Sequence, residues 1–390
     1  MTQPPRDVSP PEIRRPNAGA AAAKWGAGCV SFVLLVCIFL IVLLEVPSPV
    51  ALGLSFVAAL LPAVFYSLLV LSLDRLEREP WSAVLASFAW GAVAATLFSY
   101  LANTIGGLVL VSAAGEAVGV LAGMSLLAPV VEETFKGVAL LGLLVLIRNE
   151  FDNVLDGLVY GALIGLGFAM TENVVYFGRQ YLESGAGGLS ELFLIRAVLG
   201  GFGHAMYTAT TGAALGWARG QYGRGSLRYI VPVVGWALAV FQHFLWNGGG
   251  IVIAVLMGEG ASLWSIVVLE TILFTVPALG VLIVIALLAA RRESRILREQ
   301  LGDEVERGTL TPEEYAMLSS GGSRRRATWS ALTDGGFTQW RRRRRFVQAA
   351  AELAFRKHHE AQGEKLKGAQ KTTPEERYRA ELAALRSQLG

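Results

Sequence analysis

The chain has 390 residues, of which 53% are hydrophobic and only 17% charged, with a mean hydropathy of +0.49. Soluble domains carry about 25% charged residues, so a single soluble globule is excluded. A disordered chain and a disulfide scaffold are excluded too, since the two cysteines, Cys29 and Cys37, share one apolar run.

The net charge of +3 is unevenly spread, −4 over residues 1–290 and +7 over 291–390. A bilayer crossing needs about 20 mostly apolar residues, and eight runs qualify: 25–44, 50–73, 82–110, 120–147, 154–177, 192–218, 229–256 and 265–290. The first is too long, and too poor in small residues after it, for a removable signal peptide, and reads as an uncleaved anchor. Lys and Arg cluster in the amino-terminal segment (Arg6, Arg14, Arg15, Lys24) and then in alternate loops. Those loops hold Arg75 and Arg78, then Arg148, then Arg219, Arg224 and Arg228, then Arg291 onward; only Arg179 interrupts the bare loops between. By the positive-inside rule both termini are cytoplasmic. The expected fold is all-α: a multi-pass plasma-membrane protein of about eight transmembrane helices. Residues 1–24 form a cytoplasmic segment, 25–290 the membrane domain and 291–390 a basic helical cytoplasmic tail.

Helical stretches are expected in the tail at Arg291–Glu306, Pro312–Leu318, Phe346–His359 and Pro374–Leu389, broken by Gly and Ser at 319–323 and 335–336. The runs Arg324–Arg326 and Arg341–Arg345 suit either a solvated face or anionic lipid headgroups. No nucleic-acid-binding fold accompanies them, so no nucleic-acid partner is expected.

Ionisable side chains within a bilayer are costly and usually face a bundle interior. Here they concentrate in four runs. The fourth has Glu132, Glu133 and Lys136; the fifth has Asp156, Glu172 and Asn173; the sixth has Arg196, His204, Thr208 and Thr211; the seventh has Gln242, His243 and Asn247. Glu133 is 15 residues from Arg148, His204 is 15 from Arg219, and His243 is 15 from Arg228. At about 1.5 Å per residue each lies about 22 Å above the cytoplasmic edge, in the outer half of the bilayer. A carboxylate and two imidazoles at one depth predict one shared site.

Within the helices, Lys136 can reach Glu132 at i+4 and Glu133 at i+3, which offsets their desolvation. Asp156 suits a helix-start cap as well as a functional acid. Gly157, Gly161, Gly165 and Ala169 form a small-residue stripe for close helix packing, and Phe168 reads as core.

A glutamate can deprotonate water, while imidazoles can donate hydrogen bonds or hold zinc; two histidines and a carboxylate leave an open ligand position. Other hydrolase designs fit worse. No His-Glu-x-x-His occurs, Asp156 lacks a second intramembrane aspartate, and Gly123-Met124-Ser125 stands alone. A proton-coupled transporter or channel relay and a non-catalytic scaffold remain alternatives, although a relay would spread its polar groups over several depths.

Four motifs, Glu132-Glu133-x-x-Lys136, Phe168-x-x-x-Glu172, His204 and His243-x-x-x-Asn247, resemble the PrsW family of intramembrane proteases over residues 115–250. That family is distantly related to the CAAX prenyl-protease and Abi group. The resemblance implies a membrane metalloprotease, with zinc as its expected metal. Its substrate would be a membrane protein such as a single-pass anti-sigma factor, cut on the outer side. It also implies roles: Glu132 as general base, Glu133 as its support or a ligand, and His204 and His243 as metal ligands or oxyanion donors. Asn247 would assist, Glu172 would be a further ligand or structural acid, and Lys136 and Phe168 would support. Glu172 stands where relatives in the CAAX group carry His.

Overall fold

A computed structural model describes residues 18–73, 79–147, 151–220, 225–258, 260–362 and 374–389. Arg6, Arg14, Arg15, Arg75, Arg78, Arg148 and Arg224, on which much of the orientation rests, lie outside these residues. Among the described residues all regular structure is helical.

The membrane part contains α1 (Ala18–Glu45), α2 (Pro49–Leu71), α3 (Trp81–Ala114), α4 (116–146), α5 (Val154–Phe193), α6 (Gly203–Arg219), α7 (Leu227–Met257) and α8 (263–300). Among the described residues, six helical stretches are long and apolar enough to cross a bilayer: Gly28–Glu45, Pro49–Leu71, Trp81–Ala114, Val154–Arg219, Leu227–Met257 and Leu263–Glu306. The eight expected crossings differ from these in two ways. Val154–Arg219 folds as two antiparallel arms, and α4, which bears Glu132, Glu133 and Lys136, is not among the six. The loop expected over 178–191 is almost absent, because α5 runs on to Phe193 past a single non-helical residue, Gly185 (φ +64°).

Helix α5 is the central pillar, and its residues 155–169 are buried without interruption. It begins in a capping box: the Asn153 side chain accepts the Leu155 and Asp156 N–H groups, and Asp156 accepts the Asn153 N–H at 3.0 Å. Asn153 is therefore the helix-start cap and Asp156 its N3 partner in the capping box. The glycine stripe then decides which helix α5 meets. A Cβ at Gly161 would lie 2.5 Å from the Thr208 carbonyl oxygen, and one at Gly165 only 2.1 Å from that of His204. Small residues thus let α5 and α6 touch backbone to backbone, as the spacing predicts.

Among the described residues, four π turns interrupt the helices, at Trp90–Ala95, Gly123–Leu127, Leu194–Leu199 and Thr271–Thr275. Such turns loosen backbone carbonyls that need other donors. In α3, Thr96 donates to the Gly91 carbonyl at 2.9 Å and Thr171 of α5 to that of Ala92 at 2.8 Å, which ties α3 to the pillar. Large apolar side chains such as Phe32, Leu44, Phe65, Leu146 and Leu256 face outward, as a lipid-facing belt requires.

The tail is folded. It comprises α9 (Gly302–Glu306), α10 (Pro312–Leu318), α11 (Gly321–Ala361) and α12 (Pro374–Leu389). The end of α8 enters its core, where Ile296, Leu297 and Leu301 pack with Leu310, Leu318, Phe346, Leu353 and Leu382. The break expected over 319–323 is shorter, since α11 starts at Gly321; the one at 335–336 appears as a kink at Gly336 (φ +72°). Buried Glu304 accepts from Lys357 at 3.0 Å and from both Arg379 donors at 2.9 and 3.0 Å. Arg324 is buried as well, bonded to the Leu318 carbonyl and at 2.9 Å to Ser294 Oγ, so the first arginine run offers only Arg325 and Arg326 to a surface.

Candidate active site

Helices α4, α5, α6 and α7 bring the predicted polar residues to one point. Lys136, fully buried on α4, stands at its centre. Its Nζ lies 2.8 Å from Glu133 Oε1, 3.6 Å from Glu132 Oε2 and 2.9 Å from His204 Nδ1. It also sits 3.8 Å above the centre of the Phe168 ring. Phe168 is thus part of the site wall as well as core.

Each imidazole has its tautomer dictated by its neighbours. An ammonium can only donate, so His204 Nδ1 accepts from Lys136 and Nε2–H donates to Glu172 Oε2 at 2.9 Å. His243 reverses the pattern: Nδ1–H donates to Glu133 Oε1 at 3.2 Å, leaving the Nε2 lone pair 3.8 Å from Glu132 Oε2. Each ring is therefore oriented by a carboxylate on one nitrogen and presents a lone pair on the other, the arrangement typical of metal-binding histidines. The rings are 4.9 Å apart and nearly perpendicular, and Tyr207 stacks on His243 at 5.0 Å.

The three glutamates have different surroundings. Glu133 is saturated: its oxygens take Lys136, His243 and Thr208 Oγ1, the last at 3.0 Å. Glu172 receives Arg196 at 2.6 Å as well as His204, and Arg196 also donates to Asn173 at 2.7 Å. Glu132 takes a hydrogen bond on Oε1, from Asn103 of α3 at 3.3 Å, and its Oε2 is only in ion-pair range of Lys136 Nζ, at 3.6 Å. Its buried Oε2 has no hydrogen-bond partner.

One ligand atom each from Glu132, His204 and His243 lie within 4.8 Å of one another. The carboxylate of this group is Glu132; Glu172, expected among the ligands, instead backs His204. The donor set suits a zinc-like ion, and the unpartnered Glu132 oxygen is where a cation would be welcome. Formally, three carboxylates face two cations, Lys136 and Arg196, leaving one negative charge for a cation to neutralise. The open side lies toward Glu172 and His204, whose side chains are 19% and 12% exposed, whereas Glu133 and Lys136 are at 0%. A small cavity lined by Asn173, Arg196, Gly200, Gly201, His204 and Trp246 reaches it there.

Asn247 is not in this network. It donates to the Met124 carbonyl at 2.9 Å, joining α7 to the π turn of α4. Sequence reasoning passed over Asn103 and Tyr207, which gave no local signal. It also passed over Glu270, a buried carboxylate in the last apolar run that accepts the Gly250 N–H at 2.8 Å. Glu270 was legible as an isolated charge in 265–290.

The family model described as PrsW family intramembrane metalloprotease matches residues 79–276. Protease PrsW of Geobacillus kaustophilus (strain HTA426) is 29% identical over 172 residues, covering 44% of this chain and 67% of the relative. Protease PrsW of Clostridioides difficile (strain 630) is 29% identical over 157 residues, covering 40% of this chain and 63% of the relative. The chain thus spans about two thirds of the length of these relatives. No solved structure matches the chain.

Proposed function

The chain belongs to the PrsW family of intramembrane metalloproteases, and from that premise we propose that it hydrolyses a peptide bond of a membrane protein at the Glu132, His204 and His243 cluster. The single observation carrying this reading is the convergence of those side chains, with one buried glutamate oxygen lacking a hydrogen bond.

Glu132, His204 and His243 would hold the metal, for which we propose zinc. When bound, such an ion supplies Lewis acidity to the carbonyl and acidity to water. The protein's own groups do the rest. Asn103 fixes Glu132 through Oε1; with Oε2 given to the metal, Oε1 would be the oxygen that takes a proton from the attacking water. The water oxygen bonds to the carbonyl carbon, the C–N bond breaks, and the proton on Glu132 passes to the departing nitrogen. Glu133 and Glu172 do not react; they hold His243 and His204 in the required tautomers. Arg196 and Lys136 balance their charge.

We further propose eight crossings with both termini cytoplasmic in the plasma membrane, which puts the site in the outer half of the bilayer. The substrate would then be a single-pass protein of the anti-sigma-factor kind, entering laterally. On the cytoplasmic side the arginines of α11 would meet anionic lipid.

The test is cleavage of candidate single-pass proteins by the full chain in proteoliposomes. Wild type would be compared with Glu132→Gln and His204→Ala, with and without chelator. Loss of cleavage in both variants and on chelation is expected. Equal cleavage by wild type and Glu132→Gln overturns the assignment, as would solute flux that survives in place of proteolysis.

A further inference from the structure

We infer that the ammonium group of Lys136 and a divalent cation compete for one place, so that Lys136 is a built-in rival for the metal and sets its affinity. The inference rests on the metal reading above and goes beyond it, because it concerns a residue that is not itself a ligand.

The argument starts from lone pairs. His204 Nε2–H is committed to Glu172 at 2.9 Å, so the only nitrogen it can offer a cation is Nδ1. That lone pair is aimed at Lys136 Nζ, 2.9 Å away. The other offered atom nearby, Glu132 Oε2, is 3.6 Å from the same Nζ. The ammonium thus stands against two of the three groups that would hold a metal, and the third, His243, reaches Glu132 Oε2 within 3.8 Å. Two cations cannot share such a space inside a low-dielectric bundle, where like charges at this range repel strongly. Hence ion binding requires Nζ to leave His204.

The structure also provides somewhere for it to go. Lys136 is anchored independently to Glu133 Oε1 at 2.8 Å, and Glu133 is tied to Thr208 and His243 rather than offered to the cation. The lysine can keep that bond and the face of the Phe168 ring while giving up His204. It then becomes the partner that keeps Glu133 oriented toward His243. Lys136 is therefore a positioning residue.

The prediction separates this role from simple structural support, because two substitutions act in opposite directions. Lys136→Met removes the rival charge at nearly constant volume; Lys136→Arg keeps a permanent charge on a bulkier group that cannot withdraw as far. Co2+ would be titrated into the full-chain protein in detergent micelles, followed by visible absorption and by calorimetry. Monodispersity and helical content would be checked for each protein. Lys136→Met should bind Co2+ at least 10-fold more tightly than wild type, and Lys136→Arg at least 10-fold more weakly. If Lys136→Met does not fold, Lys136→Arg carries the test, and wild-type affinity in it overturns the inference. Equal affinities in all three proteins, or weaker binding by Lys136→Met, overturn the inference and leave the metal reading standing. Binding by none of them overturns both.

Discussion

Replacing Gly165 by Ala adds one methyl group where α5 and α6 touch. Its Cβ would fall 2.1 Å from the His204 carbonyl oxygen and 2.5 Å from the carbonyl carbon. Both atoms are backbone, so no side chain can swing away. Ordinary contact begins at 3.4 Å, so the helices must separate locally by about 1.3 Å. His204 rides on the displaced helix, and its 2.9 Å contact with Lys136 would lengthen beyond hydrogen-bond range. Overpacking of this kind costs about 1–3 kcal/mol, and a displacement near 1 Å at a reacting group costs on the order of 10²-fold in rate. Gly142 of α4 is the matched control, since a Cβ there meets nothing within 4 Å. Alanine at that position should leave stability equal or raise it by up to about 1 kcal/mol, as alanine stabilises helix interiors relative to glycine. Thermal unfolding in detergent and cleavage in proteoliposomes would measure both variants. Wild-type behaviour of Gly165→Ala, or equal damage from Gly142→Ala, refutes the argument that backbone contact at the stripe sets the position of His204.

Glu133→Gln removes the closest partner of a fully buried lysine and should destabilise the protein by about 3–5 kcal/mol, read as a lowered unfolding temperature. Glu132→Gln keeps the shape and should leave unfolding nearly unchanged while cutting cleavage by about 10²–10⁴-fold. Glu172→Gln weakens the hold on His204 Nε2 and should reduce metal affinity by about 10–100-fold, measured by Co2+ titration. In the tail, replacing exposed Arg325, Arg326 and Arg341 by Gln should abolish any added hydrogen-exchange protection of α11 in phosphatidylserine nanodiscs over phosphatidylcholine ones. About 0.5 M salt should do the same to the wild type. Arg324→Met should instead loosen the tail core in both lipids, because that side chain is buried against Leu318 and Ser294.

Much was readable along the chain because a bilayer penalises each misplaced charge one residue at a time. The apolar runs, the basic tail and the unusual concentration of Glu, Lys and His needed no partner to be visible. The stripe from Gly157 to Gly165 announced a close helix neighbour for the same local reason. Three-dimensional packing alone decided which atoms pair. Successive residues are about 100° apart around a helix, so a small rotation of α5 or α7 would exchange Glu172 for Glu132 beside the imidazoles, or bring Asn247 inward. The observed rotations put Glu132 with His204 and His243, Glu172 behind His204, and Asn247 against Met124. Asn103, 29 residues from the glutamate it holds, and Arg324, sunk in a tail that its composition describes as soluble and basic, were settled the same way. Their contacts cross between helices whose relative faces no local pattern specifies.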